Sequence, residues 1–353
     1  MLSSVAVEDL SVASSEVPSS RALLRRALGL GLLVGVLVLV VSVLPGLEDV
    51  RERLGRADAS WLVIVFACAL AKTLSYVAAL RGTLARRISW RSSWNLGMAE
   101  QGSNVLLPTG GVAGPALGAI VMRRAGVPTS IATPRSAALF LLTSATSFVA
   151  IIVAGTLSGL GLLPGSASWI GTLLPAGLAA AAVVAVAALG RLPVGEPSQA
   201  QNFVVRWRRR IAAVLRDGVQ ESIALLRAHD PLVIGGCIGY LAFDIAALAA
   251  AFAAFGGGGP PLGAFVLAYT LGQVGALIPT PGGLGATEGG LIGMFVLYGA
   301  DAAPATAAVL AYRVFALGLP AIFGLIAFRQ IRRRLRDDER TASVAALFSG
   351  DGR

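Results

Sequence analysis

Six ionisable residues lie inside or beside apolar stretches of this sequence: Lys72, Glu100, Arg135, Asp244, Glu288 and Arg313. A charge in hydrocarbon is costly, so such groups mark substrate paths, proton relays or paired partners. The densest signal is Pro279-Thr280-Pro281-Gly282-Gly283-Leu284-Gly285-Ala286-Thr287-Glu288. Two Pro and three Gly in so short a run cannot sustain a helix. Backbone unwound at membrane depth is tolerated only where protein or water covers it. Its N–H and C=O groups are then available to a polar headgroup or an ion. Glu288 follows near the start of a short helix. There it either complements the helix dipole or contacts substrate. Arg313 lies deep in the last apolar span and needs a carboxylate or phosphate partner. Glu288 is the nearest acid in sequence. Two readings stay open: a structural ion pair, or a phosphate-binding Arg313 held in place by Glu288.

A fainter copy precedes this motif. Leu106-Leu107-Pro108-Thr109-Gly110-Gly111 echoes Leu277-Ile278-Pro279-Thr280-Pro281-Gly282-Gly283. Lys72 stands 36 residues before Pro108, and Asp244 stands 35 before Pro279. Opposite charges at matching positions suggest an ion pair near a symmetry axis, structural or gating. Glu100 precedes the first motif and either lines the same cavity or sits at a wet mouth. Arg135 heads the span after the first motif, as Arg313 lies within the span after the second. It joins the substrate-contact set or snorkels to the boundary. The expected contacts are therefore Glu288, Arg313, Thr280, Gly282, Gly283, Thr109, Gly110, Gly111, Glu100 and Arg135, with Lys72 and Asp244 as the gating or ion pair.

The elements that must hold these residues are membrane helices. Of 353 residues, 56% are apolar and only 14% charged, against roughly a quarter charged in soluble domains. Ala27–Leu47, Ser136–Gly190 and Ile245–Thr287 carry no charge over 21, 55 and 43 residues. A helical span needs about 20 apolar residues. This excludes a soluble enzyme, a disordered chain and a disulfide scaffold. A β-barrel is not expected, because its strands would be alternating segments of roughly 10 residues. The expected fold is all-α and polytopic, with about six full spans plus two Pro/Gly-broken re-entrant regions. The spans are expected at 27–45, 60–80, 136–157, 169–190, 232–255 and 304–328, and the broken regions at 92–122 and 262–300. Residues 1–20 are expected as a disordered tail and 336–353 as a C-terminal tail.

The net charge of +10 rests on Arg, with Lys72 the single lysine. Of 28 Arg, 23 fall on one side if the spans alternate. Arg excess marks the cytoplasmic face, so both termini are expected inside a bacterial-type cytoplasmic membrane. This explains the basic balance without nucleic acid. It also makes region 92–122 open inward and region 262–300 outward. Two halves, about 21–157 and 169–328, then form an inverted repeat. Residues 203–227 are amphipathic, with Trp207, Ile211, Val214 and Leu215 opposite Arg206, Arg209, Arg210 and Arg216. They are expected in the cytoplasmic interface.

No His/Cys cluster has metal-ligand spacing, and Cys68 and Cys237 lie in apolar spans. No cofactor is expected. His229 is the single histidine, in His229-Asp230-Pro231 at a helix boundary, so no nucleophile–base set exists and an enzyme is not expected.

Leu107-Pro108-Thr109-Gly110-Gly111 followed by Arg123-Arg124-Ala125-Gly126, and Pro279 through Glu288 followed by Tyr298-Gly299 and Tyr312-Arg313, resemble the two signatures of the lysylphosphatidylglycerol synthase transmembrane (flippase-like) family. The resemblance covers about 21–335. It implies movement of lipids, such as aminoacylated phosphatidylglycerol, between leaflets, with roles for the Pro-Gly turn, Glu288 and Arg313. Bifunctional members carry an aminoacyltransferase domain after the membrane part. Only 329–353 follow the last span here, so that domain is not expected. Many members also place an acid and an Arg after the first Gly-Gly. Here Val112-Ala113-Gly114-Pro115-Ala116 supplies neither.

The expected function is a translocase for a lipid or lipid-linked headgroup. Its partners are membrane lipids with a charged or phosphorylated headgroup, and a homo-oligomer is left open. The alternatives are a secondary transporter of a small polar solute and a non-transporting membrane scaffold for a partner enzyme.

Overall fold

The computed structural model describes residues 57–349, except 86–87, 108, 110, 125–126, 165–167, 190–202 and 279. Before residue 57 it describes only Arg25, Leu28, Gly29, Gly31, Val50, Glu52 and Gly55, and for 189, 203–210, 281 and 334–349 the backbone alone. The tail expected over 1–20 and most of the span expected over 27–45 lie outside the described residues.

The described residues form helices and no strands. They run α1 (Ala59–Thr83), α2 (Trp90–Leu106), α3 (Ala113–Arg124), α4 (Thr129–Gly159), α5 (Trp169–Leu189), α6 (Phe203–Arg227), α7 (Pro231–Ala254), α8 (Leu262–Gly272), α9 (Ala286–Leu297) and α10 (Ala302–Ser349). Five of them are long and apolar enough to cross a membrane: α1, α4, α5, α7 and the Ala302–Arg333 part of α10. These coincide with five of the expected spans. The chain is therefore an all-α, multi-pass membrane protein.

Two boundaries differ from the hydropathy pattern. α4 begins at Thr129 rather than near 136, with Pro128 at its N-cap, so Arg135 lies within the helix. α10 runs through the Arg-rich segment to Ser349, well past the apolar stretch. Arg, Leu, Asp and Glu alternate there, and a helix continues as long as such residues allow it. Hydropathy reports the span; it does not report the helix.

Both Pro/Gly regions break where Pro and Gly forbid a helix. The first becomes α2, a turn and α3. The second becomes α8, a 3-10 turn over Gln273–Leu277, a second over Pro281–Gly283, and α9. Gly282, Gly283 and Gly285 hold φ of 64°, 67° and 83°. Glycine reaches this left-handed region without strain.

The long helices meet in a pairwise pattern. α1 packs along α7, α2 against α10, and α8 against α4. Within each broken region α2 meets α3 and α8 meets α9, while α3 meets α4 and α9 meets α10. Small residues let the backbones close. A Cβ at Gly324 on α10 would lie 2.6 Å from the Cα of Gly102 on α2. A Cβ at Gly236 on α7 would lie 2.6 Å from the amide nitrogen of Ala79 on α1. Such approaches are how helices associate where lipid supplies no hydrophobic drive. The largest buried cluster joins α7, α8, α9 and α10 around Phe252, Tyr269, Phe295 and Tyr312. Phe252, Phe265 and Phe295 meet edge-to-face or tilted, with centroids 4.7–5.5 Å apart.

Candidate functional site

The second Pro-Gly turn holds its shape through polar bonds made to its own backbone. Glu288, at the first turn of α9, accepts the Gly285 N–H on Oε2 at 2.6 Å. Arg313 on α10 donates Nε–H to Glu288 Oε1 at 2.6 Å and Nη2–H to the Gly282 carbonyl at 2.5 Å. Thr280 donates its hydroxyl to the Leu284 carbonyl at 3.2 Å. Helix propensity cannot fix this turn, so the carboxylate and the guanidinium do. Glu288 and Arg313 are both buried. A buried ion pair stands only when further hydrogen bonds satisfy both partners, and the turn supplies them.

The first turn is held by neutral groups. Asn104 Oδ1 accepts the Gly114 N–H at 2.6 Å, and Thr109 Oγ1 accepts the Ala113 N–H at 3.0 Å. Both cap the N-terminus of α3. Gly111 has φ of 88°. Pro108 and Gly110 lie outside the described residues.

Lys72 and Asp244, on the facing helices α1 and α7, are 2.6 Å apart between Nζ and Oδ2. Tyr269 of α8 donates to Asp244 Oδ2, and Tyr312 of α10 donates to Oδ1 at 2.6 Å. One carboxylate therefore ties four helices. Lys72 also lies over the Tyr240 ring, 5.0 Å from its centroid. Gln273 Nε2–H reaches the Tyr269 hydroxyl at 2.9 Å.

These groups surround one cavity of about 450 Å³. Lys72, Asp244, Arg313, Thr280, Gly282, Gly283 and Gly111 line it, together with Gln101, Asn104, Gln273, Tyr240, Tyr269 and Tyr312. Ser144, Ser147 and Phe148 of α4 close another wall. Both broken regions thus reach the same space. That size suits a polar headgroup.

Four of the expected contact residues do not line it. Glu288 stands behind Arg313, with both oxygens occupied. Thr109 is used as a cap. Glu100 is 1% exposed and accepts the Tyr76 hydroxyl on Oε2 at 2.7 Å. Its Oε1 has no partner, and a Cβ at Gly118 would fall 1.7 Å from that oxygen, so only glycine lets α3 pass. Tyr76 carries the contact from Glu100 to the cavity wall. Arg135 is drawn away by Glu221 on α6, 3.1 Å from its Nε. α6 sits on α4 through this pair and through Ser222.

The neutral amides Gln101, Asn104 and Gln273 and the tyrosines gave no charge signal in the sequence. One trace was legible. Tyr240 stands four residues before Asp244, and Gln273 four after Tyr269, so each pair shares a helix face. Among the described residues no three His, Cys, Asp or Glu gather as a metal site.

A family model described as the lysylphosphatidylglycerol synthase TM region matches residues 27–324. No match is found among curated proteins.

Proposed function

This chain belongs to the lysylphosphatidylglycerol synthase transmembrane family, and from that premise we propose that it moves a lipid or lipid-linked headgroup between membrane leaflets. The observation that carries the proposal is the shared cavity. A cation with unused donors, Arg313, and unwound backbone from both broken regions meet in one polar space among apolar helices. A charged headgroup crossing hydrocarbon unaided meets a barrier of several kcal/mol. Fixed N–H groups and the guanidinium replace its water, while the acyl tails stay in lipid.

The proposed architecture is an inverted repeat with both termini cytoplasmic. The helix contacts support it. Exchanging the halves turns α2 on α10 into α8 on α4, and α2 on α3 into α8 on α9, while α1 on α7 maps onto itself. Repeats of this kind hold substrate at their interface and rock about it.

The test is reconstitution of the purified chain in liposomes with acyl-labelled lipids and a membrane-impermeant quencher. The wild type is expected to expose inner-leaflet lipid faster than empty vesicles. Arg313→Lys keeps the charge, loses the planar fork, and is expected to lose most of that acceleration. Full activity in Arg313→Lys removes Arg313 from the headgroup site. No acceleration by folded wild-type protein removes the lipid reading and favours a solute transporter or a scaffold.

A further inference from the structure

Three acids are buried among the described residues, and they are not built alike. Asp244 receives the Lys72 ammonium, and Glu288 receives the Arg313 guanidinium. Glu100, on α2, has no cation partner among the described residues. Its Oε2 accepts the Tyr76 hydroxyl at 2.7 Å, and its Oε1 has no partner. It is 1% exposed. A Cβ at Gly118 would fall on Oε1, so α3 closes over the carboxyl group.

The elements packed on α2 bring no free cation to this carboxyl. They are α1, α3, α10 and the turn Pro281–Gly283. α1 brings Tyr76 and, one turn earlier, Lys72, which Asp244 holds. Arg81, at the far end of α1, donates to the Ile88 carbonyl. α10 brings Tyr312 and Arg313 to the cavity, bonded to Asp244 and Glu288, while its Arg329 is exposed. α3 has no titratable group before the exposed Arg123 and Arg124 at its end, and the turn has none. On α2 itself Arg91 is exposed. Behind Tyr76 lie Cys237 and Tyr240 of α7. Burying an unpaired charge costs far more than burying a neutral acid. The carboxylic acid is therefore the form of Glu100 that this packing holds.

Tyr76 also lines the cavity, so its hydroxyl joins Glu100 to that space. From this geometry we infer that Glu100 is a proton-binding site, loaded from the cavity through Tyr76, which couples headgroup movement to proton flux. The inference rests on reading the cavity as a lipid path. In loading, Tyr76 passes its hydroxyl proton to Oε2 and takes one from water in the cavity. One O–H bond breaks on the phenol and one forms on the carboxyl group. The phenol is restored, and the carboxylate becomes an acid. Release runs the same route in reverse once the cavity faces the other leaflet. The loaded acid stays beneath Gly118 and lets α3 close on α2. The ionised form is drawn to the cavity, whose walls carry Lys72 and Arg313. One proton thus favours one packing of the first broken region over the other.

The experiment uses the full chain and two readouts. The first is the infrared spectrum of the purified protein at neutral pH. The wild type is expected to show the carbonyl band of a buried carboxylic acid, and Glu100→Gln to lose it. The second is the leaflet ratio of acyl-labelled phosphatidylglycerol in vesicles under a pH gradient, with the membrane potential clamped by potassium and valinomycin. One proton per lipid is expected to shift that ratio about tenfold per pH unit, and reversing the gradient to reverse the shift. Glu100→Gln is expected to lose the shift. Tyr76→Phe keeps the ring against Tyr240 and is expected to keep the acid band, yet not to reach the shift in the time the wild type needs. No acid band in the wild type, or the same band in Glu100→Gln, overturns the proton site. Wild-type lipid movement that ignores the gradient overturns the coupling and leaves the translocase standing. If Glu100→Gln moves no lipid, Tyr76→Phe decides, and a wild-type response there overturns the route. An acid band lost in Glu100→Gln, with no lipid movement by folded wild type, supports the proton site and overturns the lipid reading.

Discussion

Glu288 and Arg313 stand 25 residues apart in the chain and 2.6 Å apart in the fold. Both also bind the glycine turn that precedes Glu288, Glu288 at the Gly285 N–H and Arg313 at the Gly282 carbonyl. The pair is the clasp of the turn. Glu288→Gln leaves a guanidinium buried against a neutral amide and turns one side-chain acceptor into a donor. Breaking a buried pair from one side costs about 3–5 kcal/mol. Glu288→Gln is therefore expected to melt well below the wild type in detergent. Glu288→Gln/Arg313→Met is expected to recover part of the loss. Additive losses in that double-mutant cycle would dissolve the clasp.

Lys72 and Asp244 are not equivalent partners. Lys72→Met leaves Asp244 with hydroxyls from Tyr269 and Tyr312. Asp244→Asn leaves Lys72 buried with no carboxylate and disturbs both tyrosines. Asp244→Asn is thus expected to be the more destabilising, with a loss in the range of about 3–5 kcal/mol for an uncompensated buried charge. Thermal denaturation of the two variants side by side checks the order, and the reverse order would show that the tyrosines do not support the acid.

The α2–α10 contact is set by two glycines. A Cβ at Gly102 would come within 2.8 Å of Gly324 Cα, and one at Gly324 within 2.6 Å of Gly102 Cα. Backbone cannot swing aside as a side chain does. Gly102→Ala and Gly324→Ala are each expected to destabilise by about 1–3 kcal/mol. Gly293→Ala on α9 is the control, since its Cβ would meet nothing within 4 Å. It is expected to be neutral or mildly stabilising through helix propensity.

Arg135 and Glu221 join α4 to α6 with side chains 21% and 28% exposed. Pairs open to solvent contribute at most about 1 kcal/mol. Arg135→Ala is expected to leave lipid movement within about fivefold of wild type, the factor that such an energy represents. A collapse of transport in a folded Arg135→Ala protein would place this arginine in the mechanism after all.

Much of the architecture was legible in the order of residue types. Long apolar stretches with few or no charges marked α1, α4, α5, α7 and the apolar part of α10, because a helix satisfies its own backbone in lipid. Pro and Gly gave the two interruptions, because their backbone limits are local. Lys72, Asp244, Glu288 and Arg313 stood out for the same reason: a charge in an apolar run is visible without any fold. The sequence could not assign their surroundings. That Asp244 gathers Tyr269 and Tyr312 from two other helices depends on how α7, α8 and α10 pack. That Arg135 leaves the cavity for Glu221 depends on where α6 lies, 86 residues away in the chain. Gln101, Asn104 and Gln273 carry no charge and break no helix, so only the walls of the cavity mark them out. Helix and break are decided by neighbours in sequence. Which donor meets which acceptor is decided by neighbours in space.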